Sequence, residues 1–147
     1  MTRTSTMLAV ALFATVVSAP VLSMAADTKP SLYERLGGTG PITAVVGKFV
    51  ANVAADKRIN GYFAKADIPN LKRQLVDQVC QASGGPCTYT GKDMKTTHKG
   101  MKITTAAFNA LVEDLVAALD TFNVPEQEKG ELLSVLGPMN KDIVEVP

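Results

Sequence analysis

Gly84-Gly85-Pro86-Cys87-Thr88-Tyr89-Thr90-Gly91-Lys92-Asp93-Met94-Lys95-Thr96-Thr97-His98 lies between two stretches of strong helical period and has no period of its own. Upstream, Asp67-Ile68-Pro69-Asn70 opens a helix that sets Leu71, Leu75, Val76 and Val79 on one face, and Gly84-Gly85-Pro86 ends it. Downstream, Thr104 is placed to cap a long amphipathic helix through Phe122, with Phe108, Leu111, Val112, Leu115 and Leu119 as its inner stripe. From Thr88 to Lys102 the pattern is irregular. The stretch therefore reads as a loop-like connection between two helices, and it carries the chain's only histidine.

Outward from this connection the sequence continues to read as helix. Ser31 followed by Glu34 resembles a capping box, opening a short helix that Gly37 and Gly38 stop. Pro41 restarts the chain, and Ile42, Val45, Val46, Phe49, Val50 and Val53 recur at helical spacing up to Ala55. Asp56 to Phe63 reads as a tight corner with a short helix. The last helix starts at Pro125 and runs towards Val144, interrupted at Gly137-Pro138 because proline has no backbone donor. With no strand pair and no internal repeat, the fold class is all-α.

The 147 residues, 46% hydrophobic and 20% charged, suit one globular domain. The formal charge is +1, and no stretch interleaves Lys and Arg with aromatics, so nucleic acid is not an expected partner. Residues 1–25 read as a secretory signal peptide. Arg3 is followed by the apolar run Met7 to Leu22 and by the small residues of Ser23-Met24-Ala25, which predicts cleavage after Ala25. An uncleaved membrane anchor is the competing reading, since the run approaches the roughly 17 residues that span a bilayer. Cleavage leaves a formally neutral, soluble domain over residues 26–147, exported to a compartment such as the bacterial periplasm and not bound to the membrane. In such an oxidising compartment, Cys80 and Cys87, flanking a glycine turn, are placed to form a disulfide. A structural zinc site is the weaker alternative, because four Cys or His ligands are usual and the chain offers three.

A lone histidine is more often structural or exposed than a ligand. The words around His98 change that weighting. Ser31-Leu32-Tyr33-Glu34-Arg35-Leu36-Gly37-Gly38, Gly84-Gly85-Pro86, Tyr89-Thr90-Gly91, Met94 and His98, then Ile103-Thr104 and Phe108, follow the order and intervals of the group I truncated haemoglobins. The resemblance covers almost the whole chain after residue 25. It implies a two-over-two sandwich of helices around haem b, with His98 as the axial ligand of the iron. It also implies a haem pocket of Phe49, Val50, Phe63, Leu71 and Leu75, with Met94, Met101, Ile103, Phe108 and Val112 on the His98 side. Lys72, Lys95 and Tyr89 become candidates for the propionates, since cations and hydroxyls satisfy carboxylates at a pocket rim. In a haem-free bundle the same apolar stripes would be ordinary core.

The chain departs from the family where a diatomic ligand would sit. Many members place a tyrosine directly after the phenylalanine of the second helix, with its hydroxyl turned to the ligand; here Phe49 is followed by Val50. Leu71 and Leu75 are also apolar. Gln74 and Gln78 are the two side chains able to offer a replacement donor, although solvent exposure is the simpler expectation, for Gln78 above all. The resemblance thus implies a monomeric protein that binds O2, CO or NO reversibly, with weak retention of oxygen and no catalytic residues assigned. A nitric-oxide dioxygenase or peroxidase, or an electron-transfer or sensing protein with an electron donor, remains the alternative.

Overall fold

In the computed structural model, residues 29–147 are described; the proposed leader, residues 1–25, lies outside them. The described chain is helical, with a single isolated bridge between Thr104 and Val146. In order, it runs through α1 (Leu32–Arg35), α2 (Thr39–Ala55), a 3₁₀ turn (Asn60–Phe63), α3 (Ile68–Ala82), α4 (Met94–His98), α5 (Thr105–Thr121) and α6 (Glu126–Leu136). A second 3₁₀ turn (Gly137–Met139) then leads into α7 (Asn140–Ile143).

The helix starts are set by side chains that satisfy exposed backbone donors. Ser31 and Glu34 form a reciprocal capping box: the Glu34 amide donates to Ser31 Oγ at 3.2 Å, and the Ser31 amide donates to Glu34 Oε2 at 2.7 Å. Asp67 caps α3 by accepting from the Asn70 amide at 3.1 Å, and Thr104 caps α5 by accepting from the Ala107 amide at 3.0 Å. Two boundaries differ from expectation. Helix α2 begins at Thr39, two residues before Pro41, because a proline inside the first turn lacks only an N–H that would have had no helical partner. The irregular segment contains a short helix, α4, capped by Asp93, which accepts from the Thr96 amide at 2.9 Å.

Helix α2 is the centre of the packing, with α5 and α3 against it; α1 and α3 meet α6, and α4 meets α7. Its apolar face, Ile42, Val45, Val46, Phe49, Val50 and Val53, is buried throughout. Helix α5 behaves differently from the expected buried stripe. Ala110, Ala118 and Leu119 are buried, whereas Phe108, Leu111, Val112 and Leu115 are only half-buried. The reason is that these four face an internal cavity. Among the described residues, no helix is long and apolar enough to cross a membrane.

An ion-pair fork joins α1 to α6. Arg35 on α1 donates to Glu128 at 2.7 Å and to both oxygens of Glu131, all on α6. The Arg35 guanidinium, helped by Gln127, holds the Glu131 carboxyl at about 2, below its ordinary 4.5. A carboxylate lowered in the folded state adds stability above its unfolded pKa and loses it as the pH falls through the folded one. The Glu131→Gln variant is therefore expected to melt below wild type at about pH 6. The two melting curves should converge as the pH falls from 4.5 towards 2, as read by circular dichroism.

Candidate cofactor site

A cavity of about 840 Å³ opens between the helices. Helices α2 and α3 supply Phe49, Val50, Leu71, Gln74, Leu75 and Gln78, and the first 3₁₀ turn supplies Phe63. The connecting segment and α4 add Tyr89, Lys92, Met94, Thr97 and His98, while Phe108 and Val112 come from α5. The wall is mostly apolar, so a flat hydrophobic molecule that filled it would be removed from water at roughly 25 cal/mol per Å².

His98 is the last residue of α4 and is half-buried on this wall. Its Nδ1 lies 2.7 Å from the carbonyl oxygen of Met94, one helical turn back. A carbonyl can only accept, so Nδ1 carries the proton and donates. In the neutral imidazole that leaves Nε2 as the nitrogen with the lone pair, the one that ligates a metal. The spacing Met94-x-x-x-His98 is thus a hydrogen-bonded unit. Asp93, which caps this turn, is held below the usual carboxylate range by its hydrogen bonds from Thr96.

The glycine words upstream are packing words. A Cβ at Gly91 would come within 2.3 Å of the Tyr89 hydroxyl, which folds back to donate to the Lys92 carbonyl at 2.7 Å. A Cβ at Gly85 would come within 2.5 Å of the Tyr33 ring and 2.7 Å of Cys80 Sγ. The Cys80–Cys87 disulfide is closed across this turn. Closing so short a loop restricts the unfolded chain by about 2–3 kcal/mol. The end of α3 is thereby tied to the segment that leads to His98.

The structure brings most of the sequence candidates to the cavity, but not all. Phe49, Val50, Phe63, Leu71, Gln74, Leu75, Gln78, Tyr89, Met94, His98, Phe108 and Val112 border it. Lys72, Lys95, Met101 and Ile103 do not. Lys72 follows Leu71 by one residue, a rotation of about 100° on a helix that turns it outward, and Lys95 is turned out from Met94 in the same way. Ile103 is buried, but beneath the C-terminal tail: its carbonyl accepts from the amides of Glu145 and Val146. Gln78 corrects the expectation of exposure. It is half-buried, and its Nε2 lies 3.4 Å from Met139 Sδ and 3.7 Å from Met94 Sδ. Gln74 is different again, because its Oε1 is buried with no partner. Lys92 borders the cavity and was not foreseen, as no period runs through the segment that holds it.

An apolar slot of this size, with an imidazole on its wall, fits a flat metal-bearing cofactor. Comparison with known proteins defines which one. The profile of the bacterial-like globin family matches residues 31–145. The chain is 35% identical over 114 residues to the group 1 truncated hemoglobin of Tetrahymena thermophila, covering 78% of this chain and 94% of that protein. It is 34% identical over 113 residues to the group 1 truncated hemoglobin of Mycolicibacterium paratuberculosis, covering 77% and 83%. The crystal structure of the truncated hemoglobin from Tetrahymena pyriformis in its Fe(III) form superposes with a TM-score of 0.76 at 33% identity, covering 78% of this chain and 98% of that one. The fold is therefore the truncated, two-over-two globin. The chain belongs to the bacterial-like globin family, whose members bind haem and take diatomic ligands, and its cofactor is haem b.

Proposed function

We propose that the chain is a haem b globin whose iron is carried by His98 Nε2 and whose ligand side is walled by Val50, Leu71 and Leu75. The observation that carries this reading is the hydrogen bond from His98 Nδ1 to the Met94 carbonyl, at the wall of the cavity. Bound there, haem b would supply an iron centre able to take O2, CO or NO. The protein's part is to hold the imidazole in one tautomer, to exclude water with an apolar wall, and to offer or withhold a donor to the ligand. Met94, Phe108 and Val112 pack the His98 side, while Phe49 and Phe63 close the slot. Lys92 and Tyr89 stand at its polar edge, where propionates need cations and hydroxyls.

Of the two glutamines, Gln74 is the one with unmet hydrogen-bonding capacity at the cavity. A half-turn of its amide exchanges Oε1 for the donating Nε2. Gln78 is occupied by the two methionine sulfurs. Gln74 is accordingly the residual polar contact for the ligand in an otherwise apolar pocket. Export of the domain after cleavage at Ala25 belongs to the same reading, supported by the closed disulfide.

Absorption spectra of the purified chain supplied with haem, in ferric, ferrous and CO-bound states, test the core of this proposal. A Soret band that moves with each state is expected, and its absence would sink it. For Gln74, the Gln74→Leu variant is expected to release oxygen about tenfold faster in stopped flow, the value of one ordinary to charge-assisted hydrogen bond. CO release should change by less than about twofold, because CO draws little on a donor. An unchanged oxygen off-rate would mean that the ligand side is wholly apolar.

A further inference from the structure

The loop that follows His98 is held by the far end of the chain. The amide of Gly100 donates to Glu145 Oε1 at 2.7 Å, and the amide of Lys102 donates to Glu145 Oε2 at 2.6 Å. One carboxylate therefore spans two backbone donors that lie two and four residues beyond His98. The backbone closes over the same place. The amides of Glu145 and Val146 donate to the Ile103 carbonyl at 2.9 and 3.1 Å, and the Thr105 amide donates to the Val146 carbonyl at 3.1 Å.

The loop between these anchors has a shape it would not keep by itself. Gly100 has φ 81° and Lys102 has φ 53°, and the left-handed region is uncommon for a residue with a side chain. Helix α4 is five residues long, too short to persist without tertiary support. Its main packing partner is α7, the element that leads directly into Glu145. Both the turn that carries His98 and the loop that leaves it are thus fixed by residues 140–146. Glu145 itself does not border the cavity.

We propose that Glu145 is a positioning residue for the iron-ligating imidazole: by clamping Gly100 and Lys102 it sets the height and rotation of His98, so that the C-terminal tail restrains the bond to the iron. This rests on His98 as the ligand. Loss of the clamp lets the loop after His98 relax, so the imidazole samples a wider range of orientations and the haem is held less firmly. The effect is local to the His98 side, and the ligand side keeps its walls.

The test uses the full haem-loaded protein with Glu145→Ala, and with Glu145→Gln as the milder change that keeps one accepting oxygen. Three quantities are read: the iron–histidine stretching band of the ferrous, five-coordinate form by resonance Raman, the rate of haem transfer to an apoglobin scavenger, and the melting temperature. The expected result is a shifted or broadened band with haem transfer about tenfold faster in Glu145→Ala, the equivalent of one charge-assisted hydrogen bond. Glu145→Gln should lie between that variant and wild type. If Glu145→Ala does not fold, the same comparison is made with Glu145→Gln alone. A lowered melting temperature with an unchanged band and transfer rate would overturn the proposal, leaving Glu145 a structural residue only. His98→Gly in the same assays separates the two readings. Loss of the band, with recovery on adding imidazole, upholds the ligand whatever Glu145 does, whereas a band that persists removes the basis for both.

Discussion

His98→Gly is expected to give a folded chain that no longer holds haem through a protein ligand. The ferrous protein should lose its iron–histidine band, and haem affinity should fall by more than the roughly 10–100-fold that follows loss of an outer partner of a metal ligand. Free imidazole should restore the wild-type spectrum by filling the space the side chain left. His98 is the single histidine in the sequence, both cysteines are consumed in the Cys80–Cys87 bridge, and among the described residues no group of three His, Cys, Asp or Glu side chains is placed to hold a metal. The fold itself should survive, because His98 is half-buried and its ring hydrogen-bonds to the Met94 carbonyl of its own turn. Loss of one such bond costs about 1 kcal/mol. Circular dichroism and absorption titration with haem check the two halves separately. Retention of a histidine-type spectrum without added imidazole would show that His98 is not the ligand.

The helices were legible because their ends are punctuated and their inner faces are periodic. Ser31 with Glu34, Asp67 and Thr104 all act as the caps their positions suggest. The segment from Thr88 to Lys102 was harder to read, since a single turn such as α4 is too short for a period to develop and depends on α7 for its support. Tyr89-Thr90-Gly91 could be recognised as a word, yet its meaning, a glycine that makes room for a tyrosine hydroxyl two residues back, is visible only in three dimensions. Lys72 and Lys95 illustrate the opposite case. Their charge suited the rim of a pocket, but one residue's offset from Leu71 and Met94 turns each away from it. The family resemblance implies Ile103 as part of the cofactor wall. The return of the C-terminal tail, more than forty positions later by the numbering, is what buries it.

Val50→Tyr is expected to slow oxygen dissociation by about 10–100-fold, corresponding to the roughly 1.5–3 kcal/mol of a hydrogen bond to a charged group. Oxygen on ferrous haem draws electron density and gains from a donor, whereas CO does so much less, so CO dissociation should change by no more than about threefold. The position permits the change. Val50 is buried at 7% exposure beside Phe49 on α2 and borders the cavity, so a longer side chain there extends towards open space rather than into packed core. Some crowding against Leu71 and Leu75 will remain, and overpacking of this kind costs about 1–3 kcal/mol of stability. Val50→Phe supplies the ring without the hydroxyl and isolates that steric part: its oxygen off-rate should stay within about threefold of wild type. Equal slowing in both variants would assign the effect to ring bulk and remove the argument that a hydroxyl at position 50 reaches the ligand. The double variant Val50→Tyr with Gln74→Leu then measures whether the two donors act on the same ligand. If they do, the tyrosine masks most of the Gln74→Leu effect, because groups that share a partner are not additive.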